Sequence, residues 1–329
     1  LILPLLARKL GLSVAGGWAA AFLAAWLPGS LWIEIMGYHE QVAASLALLG
    51  LVWSLASLQQ SGWANRRVVL TTGLFLGFIA LLSPNLLLVF LLFFSGEWLW
   101  RRSERRQILQ SGLIIASVSL VLAAPWIVRN YVVLGGFVPL RSNLGLELAI
   151  GNRPGADGNT YAPGFNQMHP YGSAAERARL IGVGELAYMR EKQQQALDWI
   201  VDNPGSFAWL TLRRIGLFWF TPDDSWCILD LKWRTKNRIY GAMGLAVLLE
   251  MWVLVRKDQA KALLLGCTLL GVCFPYFITH VEMRYRQPLV GLFALLSCDL
   301  VAKGVLWIRN KVQHPPAPPN VEYCLPQAA

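Results

Sequence analysis

Charge is what this 329-residue chain has least of: Asp, Glu, Lys and Arg together make up 15% of it, while 55% is hydrophobic and the mean hydropathy is +0.45. That balance excludes an ordinary water-soluble domain and points to an integral membrane protein. Acidic residues are the scarcer sign, 19 against 29 Lys and Arg, for a formal charge of +10. In a hydrophobic chain basic residues gather at the cytoplasmic ends of spans, so no nucleic-acid partner is expected. Cysteine is sparse and scattered: Cys227, Cys267, Cys273, Cys298 and Cys324 form no C-x-x-C and no paired spacing, which excludes a disulfide framework and a thiolate metal site. The four histidines, His39, His169, His280 and His314, have no ligand spacing, and His280-x-Glu282 is a pair that more often hydrogen-bonds locally than binds metal. Asp223-Asp224 after Pro222 reads as a turn or helix cap. Gly-x-Gly patterns lack the strand context of nucleotide-binding loops, and no internal repeat is evident. Neither metal nor cofactor is expected. A starting Met is also missing: Leu-Ile-Leu-Pro-Leu-Leu-Ala is too short to span and reads as the tail of a helix that begins upstream.

What is abundant is apolar sequence in long runs, at 12–33, 41–58, 68–96, 108–127, 239–255, 262–279 and 288–308. Most approach or exceed the roughly 20 residues a helical span needs. Basic clusters lie at Arg8-Lys9, Arg66-Arg67, Arg101-Arg102 with Arg105-Arg106, Arg256-Lys257 with Lys261, and Arg309 with Lys311. All can be cytoplasmic only if 68–96 enters and leaves on one side. Ser83-Pro84-Asn85 interrupts that run near its middle, so a helical hairpin is expected over 68–96, the alternative being one long kinked helix. Each arm would be about 21 Å long, short of a hydrocarbon core of roughly 30 Å.

The expected architecture is an all-α polytopic helix bundle. Residues 1–127 form transmembrane helices including the hairpin, 128–238 an outer-face region of mixed helix and coil, 239–311 three further transmembrane helices, and 312–329 a disordered cytoplasmic tail rich in proline. Within 128–238 the segment from Gly151 to Gly172 is turn-rich. Ser173-Ala-Ala-Glu176 is a capping box that starts helical sequence running to Asn203, and Asn203 caps a second helix from Pro204. Phe207, Trp209, Leu210, Phe218, Trp219 and Phe220 around Arg213-Arg214 give that second helix an interfacial character, with both arginines snorkelling.

On this topology Arg129, Arg141, Arg284 and Arg286 are outward cations at the ends of spans. Basic residues in the short 280–287 loop run against the positive-inside tendency, so His280-Val-Glu-Met-Arg-Tyr-Arg-Gln-Pro288 draws notice. An extended backbone before Pro288 would put Arg284 and Arg286 on one side, beside the start of the last helix, as a receptor for a phosphate. Spacing leaves a second reading equally open: Arg284 pairs with Glu282, and Arg286 snorkels to lipid phosphate. Arg129, in Pro125-Trp-Ile-Val-Arg-Asn-Tyr131, reads first as part of a helix-end anchor with Trp126 and Tyr131.

Pro125-Trp126-x-x-Arg129-Asn130-Tyr131, then Phe137-Val138-Pro139, Asn143-x-Gly145 and Gly151-Asn152, resembles the start of the large outer loop of GT-C type membrane glycosyltransferases. The closest group is glycosyltransferase family 39, the protein-mannosyltransferase and aminoarabinose-transferase-like set. Gly73-x-x-x-Gly77 leading to Pro84 resembles that family's G-x-x-x-G-x-x-x-L-x-R-P segment, and Arg284-Tyr285-Arg286-x-Pro288 its late R-Y-R-x-P. The likeness covers nearly all of the chain through the order and spacing of these motifs.

The resemblance implies an enzyme that moves a sugar from a polyprenyl-phosphate donor to an acceptor on the periplasmic or extracellular face of a bacterial inner (plasma) membrane. Its partners would be the lipid-linked donor, membrane lipids and an acceptor the sequence does not identify. Arg284, Tyr285, Arg286 and, more weakly, Arg129 would hold the donor phosphate, and Glu40 would contact sugar or acceptor if it does not simply cap its own helix. The family's general base is an acidic residue, commonly Asp, in the first outer loop, which here is expected upstream of Leu1. Glu34, Glu40, Glu147 and Asp157 are poor substitutes by position, and Ser83 stands where an arginine is frequent. The chain as given is therefore expected to lack its catalytic base. Against this enzyme stands a non-catalytic membrane protein that binds or carries a polyprenyl-phosphate lipid. A transporter is disfavoured, since the runs hold few ionisable groups for a midplane path.

Overall fold

The structure, a computed structural model, describes residues 2–27, 37, 39–159, 164–220 and 231–313. Glu34, the Asp223-Asp224 pair and the tail beyond Gln313 lie outside them. Among the described residues all regular structure is helical, and one isolated bridge joins Asn159 to Val281. In chain order the helices are α1 (Ile2–Lys9), α2 (Val14–Trp26), α3 (His39–Gln60), α4 (Arg66–Leu82), α5 (Leu87–Trp100), α6 (Arg105–Leu134) and α7 (Leu144–Gly151). They continue as α8 (Phe165–Met168), α9 (Ala174–Val183), α10 (Glu185–Asp202), α11 (Pro204–Phe220), α12 (Leu231–Lys257), α13 (Gln259–Ile278) and α14 (Gln287–Gln313). Among the described residues five stretches are long and apolar enough to cross a membrane: His39–Gln60, Arg102–Leu134, Arg238–Lys257, Gln259–Ile278 and Arg284–Asn310.

Ser83 leaves the helical region at φ −150°, and the 3-10 turn Pro84–Leu86 begins with the proline where a missing N–H costs least. The chain then reverses. Gly73 meets Val118 and Gly77 meets Leu122, so α4 and α6 run parallel in close approach. Added methyl groups there would stand 2.9 Å from the Val118 Cβ and 2.8 Å from the Leu122 Cβ, which is why two glycines four apart face α6. Gly271 packs on Val89 and Gly96 on Leu263, so α5 runs antiparallel to α13. The two arms thus return to the same end of the bundle, where Arg66, Arg67, Arg101 and Lys261 also lie; this is called the basic end below.

A buried network ties the basic end together. Glu97 of α5 accepts hydrogen bonds from Gln59 Nε2 (2.9 Å) and Trp63 Nε1 (3.1 Å) and pairs with Arg101 Nε at 2.9 Å. Gln59 also donates to the Ala260 carbonyl, and the Trp63 carbonyl accepts from Ser111 and Gln107. Trp63 is fully buried with φ at +63°, a strained conformation for a bulky residue, held by these contacts and by Phe93 and Phe94 against its ring.

Local chemistry and its limits show in the middle region. The Ser173 hydroxyl accepts from the Glu176 N–H and starts α9. The helical stretch from there to Asn203 is not continuous: Gly184, at φ +84°, divides it into α9 and α10. The Asn203 side chain turns back to donate to the Trp199 carbonyl at the end of α10. Helix α6 runs past 127 and through Pro125 to Leu134, ending at Gly135 with a left-handed cap.

Candidate functional site

At the end of the bundle opposite the basic clusters, a cavity of about 520 Å³ opens where several elements terminate. Its wall takes Glu40 from the start of α3, Ser83 and Asn85 from the proline turn, and Arg141 from the α6–α7 connection. Glu147 of α7, Tyr276 of α13, and Arg284 and Tyr285 of the last 3-10 turn complete the polar lining. The volume suits a sugar or a phosphate with its first substituent.

Short α7 presents Glu147, and glycines at both ends of the helix determine its seat. A methyl group on Gly145 would stand 2.0 Å from the Met189 carbonyl oxygen, and one on Gly151 would stand 1.8 Å from that of Thr279. Neither position tolerates a Cβ, so α7 lies backbone-to-backbone against α10 and the end of α13. Asn152 then donates to the Ile278 carbonyl at 2.9 Å. Arg214 donates to the Gly151 carbonyl (2.6 Å), to Asn152 Oδ1 (3.1 Å) and to the Phe277 carbonyl (3.2 Å). The motif Asn143-x-Gly145…Gly151-Asn152 is thus the dock that holds α7.

Arg214 corrects the expectation that both arginines of α11 snorkel: Arg213 is exposed, whereas Arg214 is fully buried among carbonyls. Burial pushes its pKa down to about 10, which leaves it cationic at neutral pH. Its face was readable, since Leu210 and Phe218, four residues to either side, are buried with it.

The two arginines of the late loop do not share a side. Residues Met283–Arg286 form a 3-10 turn, started by the Tyr285 N–H donating to the Glu282 carbonyl, and Gln287 is itself helical rather than extended. The turn feeds directly into α14 and places Pro288 in its first turn, where the helix needs no N–H. Arg284 pairs with Glu282 at 2.8 Å and lies over the Tyr285 ring while lining the cavity. Arg286 is buried elsewhere, 3.4 Å from the Phe218 carbonyl and over the Tyr240 ring. Arg129 is also outside the cavity lining, reaching Asn130 Oδ1 at 3.1 Å and covering the Trp126 ring. Asn130 is buried and donates to the Val138 and Leu140 carbonyls, which folds the connection back on α6. Thus the Pro125–Tyr131 motif shapes the loop that carries Arg141.

Arg141, not Arg129, accompanies Arg284 at the cavity. It donates to the Leu82 carbonyl at 3.2 Å and faces Glu40 across 3.6 Å, both side chains being about half exposed. Deeper in, Tyr276 and Tyr285 stack with centroids 4.3 Å apart, and the Tyr276 hydroxyl accepts from Asn85, itself bonded to Ser83. Glu147 Oε1 accepts from Asn143 Nδ2 at 2.9 Å, and its Oε2 lies 3.4 Å from His280 Nε2.

Burial raises the Glu147 carboxyl above the usual range, opposed by the Asn143 hydrogen bond and by Arg284 and Arg141. Burial also pushes His280 down to about 4, so the imidazole is neutral at physiological pH. Its Nε2 sits 3.3 Å from the Tyr285 hydroxyl. The cavity therefore combines two guanidinium groups with a carboxyl whose proton affinity is enhanced. It can hold an anion and exchange a proton. Among the described residues no three His, Cys, Asp or Glu side chains converge to hold a metal ion.

Comparison of the chain with protein-family models, with characterised proteins and with solved structures finds no significant match.

Proposed function

We propose that the chain is a membrane glycosyltransferase, of the GT-C type that its motifs resemble, and that it takes a sugar from a polyprenyl-phosphate donor. The observation that carries this reading is the convergence of Arg141, Arg284 and Glu147 on one cavity at the end opposite the basic clusters. With those clusters cytoplasmic, the cavity opens on the periplasmic or extracellular face. Exposed Trp18, Phe22, Leu74, Phe78, Leu120 and Val121 give the bundle a surface suited to hydrocarbon.

In this reading Arg284 and Arg141 hold the carrier phosphate and stabilise the charge it gains as the sugar departs. The stacked Tyr276 and Tyr285 form a wall against which a sugar ring or the first isoprene unit packs. Glu40, at the rim, meets the acceptor side. Arg286 and Arg129 serve the scaffold, each already engaged away from the cavity.

Arg284→Ala in the membrane-reconstituted protein is expected to lower sugar transfer from a polyprenyl-phosphate donor about 100-fold or more. Wild-type transfer by this variant would refute the phosphate role.

The second reading, a non-catalytic binder or carrier of polyprenyl phosphate, draws support from the acidic partners that Arg284 and Arg141 already have in Glu282 and Glu40. It predicts saturable binding of polyprenyl phosphate without turnover of any lipid-linked sugar.

A further inference from the structure

We propose that a second cavity, beside the first turns of α11, is a binding site for the headgroup of an anionic phospholipid. It shares no lining residue with the cavity described above, and the inference does not depend on sugar transfer.

The cavity has a volume of about 580 Å³. Arg153 enters it from the turn after α7, Trp199 and Asn203 from the end of α10, and Ser206, Trp209 and Arg213 from α11. Residues three and four apart share a helix face, which is why 206, 209 and 213 converge. Two guanidinium groups thus border a space whose lining, among the described residues, contains no acid. The donor cavity differs, since there Glu282 and Glu40 already meet Arg284 and Arg141. Arg213 is exposed and has no hydrogen bond or ion pair among the described residues. Asp157, whose charge acts on Arg153, accepts from the Asn159 N–H and stays outside the lining. The cavity is therefore complementary in charge to a phosphodiester, and guanidinium groups suit it by geometry as well. Trp199 and Trp209 are side chains that favour the level of lipid headgroups.

Depth points to the same occupant. Arg214, next to Arg213, donates to the Phe277 carbonyl in the last turn of α13. The Arg213 stem approaches Gly158, whose carbonyl accepts from the Val281 N–H just beyond that helix. Further along α11, Trp219 stacks on buried Phe293 in the second turn of α14. Helix α11 therefore passes from inside the bundle out to the ends of the spans, with Arg213 where hydrocarbon gives way to headgroups. Below it Leu212 and Phe220 are 63% and 51% exposed, and Gly216 between them leaves open space where a side chain would stand. An acyl chain can lie along that stripe while its phosphate meets the arginines. A free phosphate would leave the stripe uncovered. Cations on this face run against the positive-inside tendency, and a lipid phosphate offsets them.

The test titrates the full chain, in micelles of an uncharged detergent, with short-chain phosphatidylglycerol, phosphatidylcholine or inorganic phosphate. Wild type is expected to bind phosphatidylglycerol saturably and at least about 10-fold more tightly than either comparison. Arg213→Gln and Trp209→Ala, each changing an exposed side chain, should weaken that binding about 10-fold at unchanged melting temperature, whereas Arg284→Ala should leave it at the wild-type value. Equal affinity for phosphatidylcholine or for inorganic phosphate, or wild-type binding by Arg213→Gln, overturns the proposal. So does the reverse pattern, in which Arg284→Ala loses the lipid and Arg213→Gln keeps it, because the lipid then sits in the donor cavity. A chain that dimerises in lipid, and that Arg213→Gln returns to a monomer with phosphatidylglycerol binding unchanged, assigns the face to a second copy and also overturns it. None of these measurements reads sugar transfer, so failure of this site and failure of the glycosyltransferase reading are distinguishable.

Discussion

Glu97 and Glu147 are the same residue type at opposite ends of one bundle, and their surroundings assign them opposite tasks. Glu97 has no exposed side-chain surface and takes three donors, from Gln59, Trp63 and Arg101. Its charge is compensated inside the protein, and the network joins α3, α5, α6 and α13. Glu147 has one firm donor, Asn143, a longer approach to His280, and a face on the cavity. A buried carboxylate with its lone pairs occupied is a structural tie, whereas one with lone pairs left over is available for chemistry.

That contrast can be broken most forcefully at the basic end. Glu97→Ala would leave the Trp63 indole, the Gln59 amide and Arg101 without their common acceptor, and is expected to cost about 3 kcal/mol or more in unfolding measurements. Molecules that stay folded should bind polyprenyl phosphate normally; a loss of binding at equal foldedness would mean the two ends are coupled. Gly151→Ala, whose Cβ would fall 1.8 Å from the Thr279 carbonyl oxygen, should cost about 1–3 kcal/mol and lower transfer by displacing Glu147. An unchanged rate and melting temperature would show that α7 is not seated as described.

Acid probes the cavity end more gently. His280 folds with its pKa near 4, below its unfolded value of about 6.5, so the unfolded chain binds a proton that the folded chain refuses. This term is neutral above about pH 6.5 and removes stability progressively as pH falls toward 4, on the order of 1–2 kcal/mol at pH 5. Glu147 acts with the other sign: its raised pKa means stability is gained as pH falls through it, which partly offsets the histidine. Melting curves at pH 7.5 and 5 for wild type and His280→Gln should show a smaller acid loss in the variant; identical losses would contradict the buried neutral imidazole. The smallest effect belongs to Arg129→Ala, expected within about 0.5 kcal/mol of wild type and with unchanged phosphate binding, since Arg129 engages Trp126 and Asn130 outside the cavity. A large loss of binding would return it to the donor site.

Features that depend on local chemistry were legible in the sequence. The break at Ser83-Pro84 follows from what proline does to its own N–H and to the residue before it, and the Ser173 cap from a hydroxyl placed three residues before Glu176. Apolar runs outlined the long helices because every backbone group is satisfied within the segment. Side-chain destinations set by distant backbone were not legible. Arg284 and Arg286 diverge because the 283–286 segment coils into a 3-10 turn, and two-residue spacing means one side only in an extended chain. Glu147 looked poorly placed because its route to the cavity runs through Gly145 and Gly151, whose contacts lie with Met189 and Thr279. Those two glycines, bracketing a short apolar helix with one acid in it, were the signal to follow.

The seating of α7 also bears on how such a site can change over generations. Its anchorage is written in two glycines and in the side chains of Asn152 and Arg214, so the contacts that seat the helix are made by residues other than Glu147. The protein can exchange the cavity-facing side chain at that one position while the surrounding walls stay as they are, which makes α7 a replaceable tool tip rather than a part of the handle.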